Sequence, residues 1–300
     1  MSTFLTSLVA LLAFLGAPTG PGPGSWLPAS EEGLLVMTFN IRFGTADDGV
    51  NAWSNRRNAV AEIIHRWKPD VLAIQEGLAF QLEELADVLD DYRKLGRHRS
   101  GGEEGEFSGL YVHRARVILG DWGELWLSQT PDSVGSVGWD AALPRMAVWA
   151  EVESRSGGHP IRIYGTHFDH RGAEARVESA RLLASHARGG PPAVIMGDLN
   201  ASEGSDAMGV FFRQGYRSAV EDLHPGLATG TFNGFRDPTG GPRIDHVLLG
   251  PGIEPLLAEI LDHRPGGIWP SDHFPVVARL RRAPRAQDPG PLTSRTQRKP

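Results

Sequence analysis

Apolar residues follow two alternating rhythms between residues 34 and 280. The run "LLVMTFNIR" (34–42) is apolar without a break until it closes on polar side chains, the pattern of a strand buried on both faces. "WSNRRNAVAEIIHRW" (53–67) sets Val60, Ile63, Ile64 and Trp67 at helical spacing, and Pro69 stops it. "DVLAIQE" (70–76) is a second buried strand, and 79–91 repeats the helical period at Leu82, Leu85, Ala86 and Leu89. From 106 to 152 the pattern turns to short β-like runs, "GLYVHR", "GELWLS" and "RMAVWAEV", with Trp126 in a core position. A strand at 161–168, a helix at 172–187 and strands at 192–200, 243–250 and 273–280 complete the series. Helices and strands alternate at first, and strands dominate the middle. That order predicts an α/β fold of mixed sheets with helices on their outer faces, rather than a strict parallel barrel.

The flanks differ. Phe4 to Gly16 is an apolar run too short to span a bilayer and of the length of a secretory signal core. No Lys or Arg precedes it and no A-x-A site follows. The expectation is export to the periplasm or the exterior, with tethering to a membrane through this segment as the other reading. Residues 1–32 are therefore read as a signal-like segment and a Pro/Gly linker. Residues 33–280 are read as the folded domain, and 281–300 as a basic, disordered tail. Composition within the domain is that of a globular chain, with 40% apolar and 22% charged residues overall. The absence of cysteine excludes disulfides, thiolate metal sites and cysteine nucleophiles. Formal net charge is −6, and the tail is basic, so the domain is the acidic part. A protein that coats nucleic acid would have the opposite balance.

The strand ends change the picture. They carry Asn40, Glu76, His167, Asp198, Asn200, Asp245, Asp272 and His273. One such residue is a turn or a helix cap; this many at the ends of apolar strands form one site. Hard oxygen donors with few histidines suit Mg²⁺ or Mn²⁺ (or Ca²⁺) better than zinc. Asn40, Glu76 and Asp272 are the candidates for a partial shell. Histidines beside a metal-bound phosphate bind its oxygens or stabilise developing charge.

In order along the chain, TFNIR, IQE, THFDH, GDLN, IDHVLL and SDHFP resemble the endonuclease/exonuclease/phosphatase superfamily. The stretches "GVNAWSNRR", "EGEFSGLYVHR" and "WLSQTPDSVGSVGWDAALPR" look like a bacterial branch of metal-dependent hydrolases, distantly similar to the deadenylase and nocturnin group. The resemblance implies a four-layer α/β/β/α sandwich of two mixed sheets flanked by helices. It implies Asn40 and Glu76 as metal ligands and Asp272 as a metal-binding or metal-adjacent acid. Asp198 would orient or deprotonate the attacking water, and Asn200 would hold that water and the phosphate. His167 would bind phosphate, and Asp245 would orient His273. Arg42 and Arg145 are candidate anion contacts, with ion pairing as the competing role. Asp169 and His170 are candidate substrate groups or plain loop residues, and Trp139 either stacks a ligand or packs. Arg56 and Arg57, at a helix start, are expected on the surface or just behind the site.

The leading expectation is a Mg²⁺- or Mn²⁺-dependent phosphoesterase attacking with water directly, since no G-x-S-x-G elbow supplies a nucleophile. Small phosphorylated substrates are favoured over DNA or RNA because lysines are scarce, though nucleic acid stays open as a partner. A non-catalytic binding module of the same fold is the remaining alternative. No protein partner is implied, and a monomer is expected.

Overall fold

Two parallel strand pairs organise the chain in a computed structural model that describes residues 32–236 and 241–283. In the first, β1 (Leu34–Asn40) and β2 (Val71–Gly77) are bridged by α1 (Trp53–Trp67). Next come α2 (Ala79–Glu84), α3 (Ala86–Leu89), β3 (Tyr92–Leu95), β4 (Phe107–His113), β5 (Val117–Trp126) and β6 (Met146–Ser154). In the second pair, β7 (Ile161–His167) and β8 (Ala193–Asp198) are bridged by α4 (Ala173–His186). The chain closes with α5 (Asp206–Arg213), β9 (Arg217–Ser218), α6 (Ala219–Leu223), β10 (Asp245–Leu249), β11 (Ile253–Ile260) and β12 (Val276–Arg282). Parallel neighbours need a crossover of a dozen residues or more, and α1 and α4 supply it.

The strands form two mixed six-stranded sheets, ordered β11-β12-β1-β2-β4-β3 and β5-β6-β7-β8-β10-β9. Val36, Ala73 and Leu110 of the first sheet pack with Val148, Ile163 and Met196 of the second in one buried cluster. On the outer face of the first sheet, Ile63 and Ile64 of α1 cover Met37 and Ile74. On the outer face of the second, Leu183 of α4 and Phe211 of α5 cover Ile195 and Leu248. Both faces of β1 are therefore buried, which is why it reads as an unbroken apolar run. The architecture is the expected four-layer α/β/β/α sandwich.

Several details differ from the sequence reading. The single helix expected over 79–91 is two, parted at Leu85. The strand β11 has no counterpart in the reading because Pro255 and a register shift between Pro255 and Leu257 break its alternation. It lies at a sheet edge, where a proline is tolerated. Arg281 and Arg282 belong to β12, opposite Glu254 and Ile253, so the domain extends past residue 280. The expectations for the apolar leader, its linker and the tail beyond Ala283 fall outside the described residues. Among the described residues no helix is long and apolar enough to cross a membrane.

Candidate active site

The carboxyl ends of the two parallel pairs meet. Asn40 ends β1, Glu76 lies next to the end of β2, and His167 and Asp198 end β7 and β8 side by side. Asp245 opens β10 directly opposite Asp198, and Asp272 and His273 precede β12. Local backbone aims these groups. Between Ile74 and Gly77 the β2–β4 ladder takes one extra residue, and Glu76 there has φ +63°. Such a bulge turns a side chain out of the strand's regular alternation. Arg42 (φ +56°) and Asn200 (φ +46°) also hold left-handed backbone just past strand ends. Non-glycine residues held there store about 1–3 kcal/mol each, typically at functional sites.

Gly197 explains the glycine of the GDLN motif. A Cβ on it would lie 1.9 Å from the carbonyl oxygen of Thr166, and its φ is +151°. Only glycine lets β8 come this close to β7 one residue before Asp198.

The polar groups form one network across the two sheets. Asn40 Nδ2 donates to Glu76 Oε1 (2.9 Å) and to Asp198 Oδ2 (3.0 Å), and its Oδ1 accepts the Arg42 N–H. Asn40 thus turns its amide N–H, not its carbonyl, toward the carboxylates, so in this arrangement it orients Glu76 and Asp198. Glu76 Oε2 accepts the Phe43 N–H at 3.0 Å. Asp198 Oδ1 accepts the Asn200 N–H at 2.9 Å, and Asn200 Nδ2 donates to the Phe168 carbonyl. His167 Nε2 lies 3.4 Å and His273 Nε2 3.9 Å from Asp198 Oδ2. His273 Nδ1 bonds Asp245 Oδ2 at 2.8 Å, which fixes the ring. Asp272 accepts from the Ser271 hydroxyl and faces Arg42 Nη1 at 3.6 Å.

Electrostatics separates the two imidazoles. Burial disfavours charge on His273, but Asp245 and Asp198 outweigh it and raise its pKa well above the ordinary value. Burial, with Arg145 and Arg99 nearby, lowers that of His167 well below it. The two imidazoles are thus pushed in opposite directions, His273 toward its charged form and His167 toward its neutral one. Burial and the facing Asp245 push Asp198 up to about 7. Burial also raises Asp272.

Among the described residues, two groups of side chains each bring three ligand atoms within 4.8 Å of one another. They are Glu76, Glu106 and His167, and Asp198, Asp245 and His273. In the second group His273 is bonded to Asp245 and pushed toward its charged form, so it serves poorly as a ligand. In the first, Glu106 is paired with Arg99 at 2.7 Å. The carboxylates of Glu76 and the neighbouring Asp272 are hard oxygen donors, and the residues fit a divalent ion beside Glu76.

Arg42 grips Asp48 through two bonds. Arg145 Nε bonds Asp169 Oδ2 at 3.3 Å, and its Nη2 meets His170 Nδ1 at 3.0 Å. Asp169 is buried, whereas the His170 side chain is 42% exposed. Trp139 is half-buried on a loop that Asp140 pins to the start of α4. Trp126 is core, as read. Arg57 pairs with Glu84 at the surface. Arg56 takes the second of its two expected places, just behind the site: it is fully buried, and its guanidinium donates to the carbonyls of Ile41, Arg42, Asn51 and Pro270. Gln81, not read from the sequence, ties the same loop by bonding Gly44 N–H and the Arg42 carbonyl. Glu106 and Arg99 reach the site without having been singled out. Their only signal in the sequence is the stretch "EGEFSGLYVHR", which carries Glu106.

Residues 37–273 match the model of the Endonuclease/Exonuclease/phosphatase family. An endonuclease/exonuclease/phosphatase structure from Bacteroides vulgatus shares 30% identity, covering 83% of this chain and 98% of its own, with a TM-score of 0.76. A Bacteroides thetaiotaomicron mannosyl-6-phosphatase shares 30% identity over 82% of this chain and 99% of its own, with a TM-score of 0.73. The human Nocturnin catalytic domain, solved with a bound sulfate anion, is similar in fold at 18% identity. It covers 84% of this chain and 94% of its own, with a TM-score of 0.66.

Proposed function

The chain belongs to the endonuclease/exonuclease/phosphatase family, and from that membership we propose a divalent-metal-dependent hydrolase that cleaves phosphoesters of small molecules by direct attack of water. The observation that carries this reading is the convergence on Asp198 of His167, His273 and Asn40 from both sheets. An Mg²⁺ or Mn²⁺ ion held at Glu76, with Asp272 facing the same mouth, would supply charge to the phosphate oxygens. Asp198, poised near neutrality, takes the proton of the attacking water. His273, held cationic by Asp245, neutralises the charge that develops on the phosphoryl group. His167, neutral, donates a single N–H to a phosphate oxygen, and Asn200 holds the water. The mannosyl-6-phosphatase at 30% identity supports a small phosphoester over a polymer.

The test incubates the full chain with p-nitrophenyl phosphate, its bis-ester, a sugar phosphate, and single-stranded DNA and RNA, with Mg²⁺ and then with EDTA. The expected result is release from the small esters that EDTA abolishes and that Asp198→Asn lowers by about 10²–10⁴-fold. Polymer cleavage alone would make the protein a nuclease. If no substrate turned over with metal, the fold would be a binding module and the hydrolase reading would be lost.

A further inference from the structure

Two guanidinium–carboxylate pairs stand beside His167, and the hydrolytic roles above leave them unused. Arg99 pairs with Glu106 at 2.7 Å, where the β3–β4 hairpin runs on past its ladder and the Arg99 N–H donates to the Glu106 carbonyl. Arg145 pairs with Asp169 at 3.3 Å, at the threshold of β6. Trp126 draws the two together. Its indole N–H donates to the Arg99 carbonyl at 2.8 Å, and its backbone pairs with Met146, next to Arg145. Glu106 offers an oxygen within 4.8 Å of ligand atoms of both Glu76 and His167, so this array borders the place of the phosphate.

Arg145 is the telling group. Asp169 holds its Nε and His170 meets its Nη2, while Nη1 is buried with no hydrogen-bond partner among the described residues, on a side chain 4% exposed. A buried donor left unpaired costs about 1–3 kcal/mol, so Nη1 calls for an acceptor that the surrounding side chains do not supply. The chemistry of that ligand follows from charge. Two arginines face two carboxylates, so the array is electrically balanced. A second phosphate would meet Glu106 and Asp169 as well as the guanidinium groups and would gain little. A hydroxyl donates to a carboxylate and accepts from a guanidinium at once, so paired ions suit several hydroxyls on one skeleton.

We propose that Arg99–Glu106 and Arg145–Asp169 form a subsite for a neutral, hydroxyl-rich leaving group, so that the preferred substrate is the phosphate monoester of a sugar or other polyol. This rests on the phosphoester-hydrolase reading above.

The experiment compares kcat/KM of the full chain at saturating Mg²⁺ on hexitol 6-phosphate, n-hexyl phosphate and hexitol 1,6-bisphosphate. Wild-type protein is expected to favour hexitol 6-phosphate over the hexyl ester by on the order of 10²-fold, since a site built for hydroxyls rejects the analogue without them. Glu106→Gln and Arg145→Met should shrink that ratio to a few-fold, losing more on the hexitol ester than on the hexyl ester. A wild-type ratio near one overturns the inference, even where a variant fails to fold. So does a preference for the bisphosphate, or an equal loss on all three esters in both variants, which would assign the pairs to the phosphate or the ion. Absence of Mg²⁺-dependent release from every ester would bring down the hydrolase reading itself.

Discussion

Arg56 sits in the first turns of α1 among polar neighbours, and a periodicity argument leaves it outside. Its partners are carbonyls in two loops, and carbonyls carry no side-chain signature in a sequence. The strand-end residues were legible for the opposite reason: Asn40, Glu76, Asp198 and His273 declare their chemistry by residue type. By holding Ile41 and Arg42 to Pro270, Arg56 keeps the loop after Asn40 next to the loop that carries Asp272. Arg56→Met strips four carbonyls of a donor, two of them in fully buried bonds. The two buried acceptors left unpaired should cost about 2–6 kcal/mol in a urea titration and lower turnover with it; a loss under about 1 kcal/mol would remove this role. Asp169 makes a prediction of a different kind. Burial would raise its carboxyl, but the N–H groups of Gly172, Arg171 and Ala142 and the Arg145 charge outweigh it and hold its pKa at about 2, below the ordinary 3.8. A depressed pKa contributes stability that is complete above the unfolded value and vanishes as pH falls through the folded one. The stability gap between wild type and Asp169→Asn should therefore be widest at about pH 5 and above, and should close between about pH 4 and pH 2. A gap that did not vary over that range would refute the ion-pair account.

Among the elements, the two strand–helix–strand units were the most legible, because β1, β2, β7 and β8 are buried on both faces and α1 and α4 show helical spacing. What stayed hidden was irregularity. The bulge that aims Glu76 and the proline in β11 both break alternation, and a two-residue strand such as β9 has no period to read. Gly197 is the element-scale counterpart of Arg56, since it fixes the spacing of β7 and β8 where His167 and Asp198 leave them. Gly197→Ala forces the strands apart against the Thr166 carbonyl and should destabilise by about 3 kcal/mol. Its turnover should fall further than its far-UV circular dichroism changes, because the ladder opens first at the end that bears the site. An alanine variant with wild-type turnover would show that the close approach is dispensable.

At the scale of the molecule, the second sheet is built from a continuous middle stretch, while the first takes strands from both ends of the domain. The two share one core, so unfolding should be a single transition. The carboxylates at the mouth come from distant parts of the chain, and only the folded molecule gathers them. Mg²⁺ at about a hundred times its Kd should add about 2.7 kcal/mol. That would raise Tm by roughly 5–10 °C, a rise that Glu76→Gln should remove; an equal rise in the variant would place the ion elsewhere.

The pairing of β1 with β12 has one more consequence. Leu34 lies opposite Leu280, while Asn40 and Asp272 stand at the other end of the same two strands, about 20 Å away at the usual rise of a strand. Both chain ends of the domain therefore leave from its base and the mouth opens at its crown. A bead or resin coupled next to Leu34 or Leu280 would therefore sit at the far side of the domain from the opening and leave it free for substrate to enter.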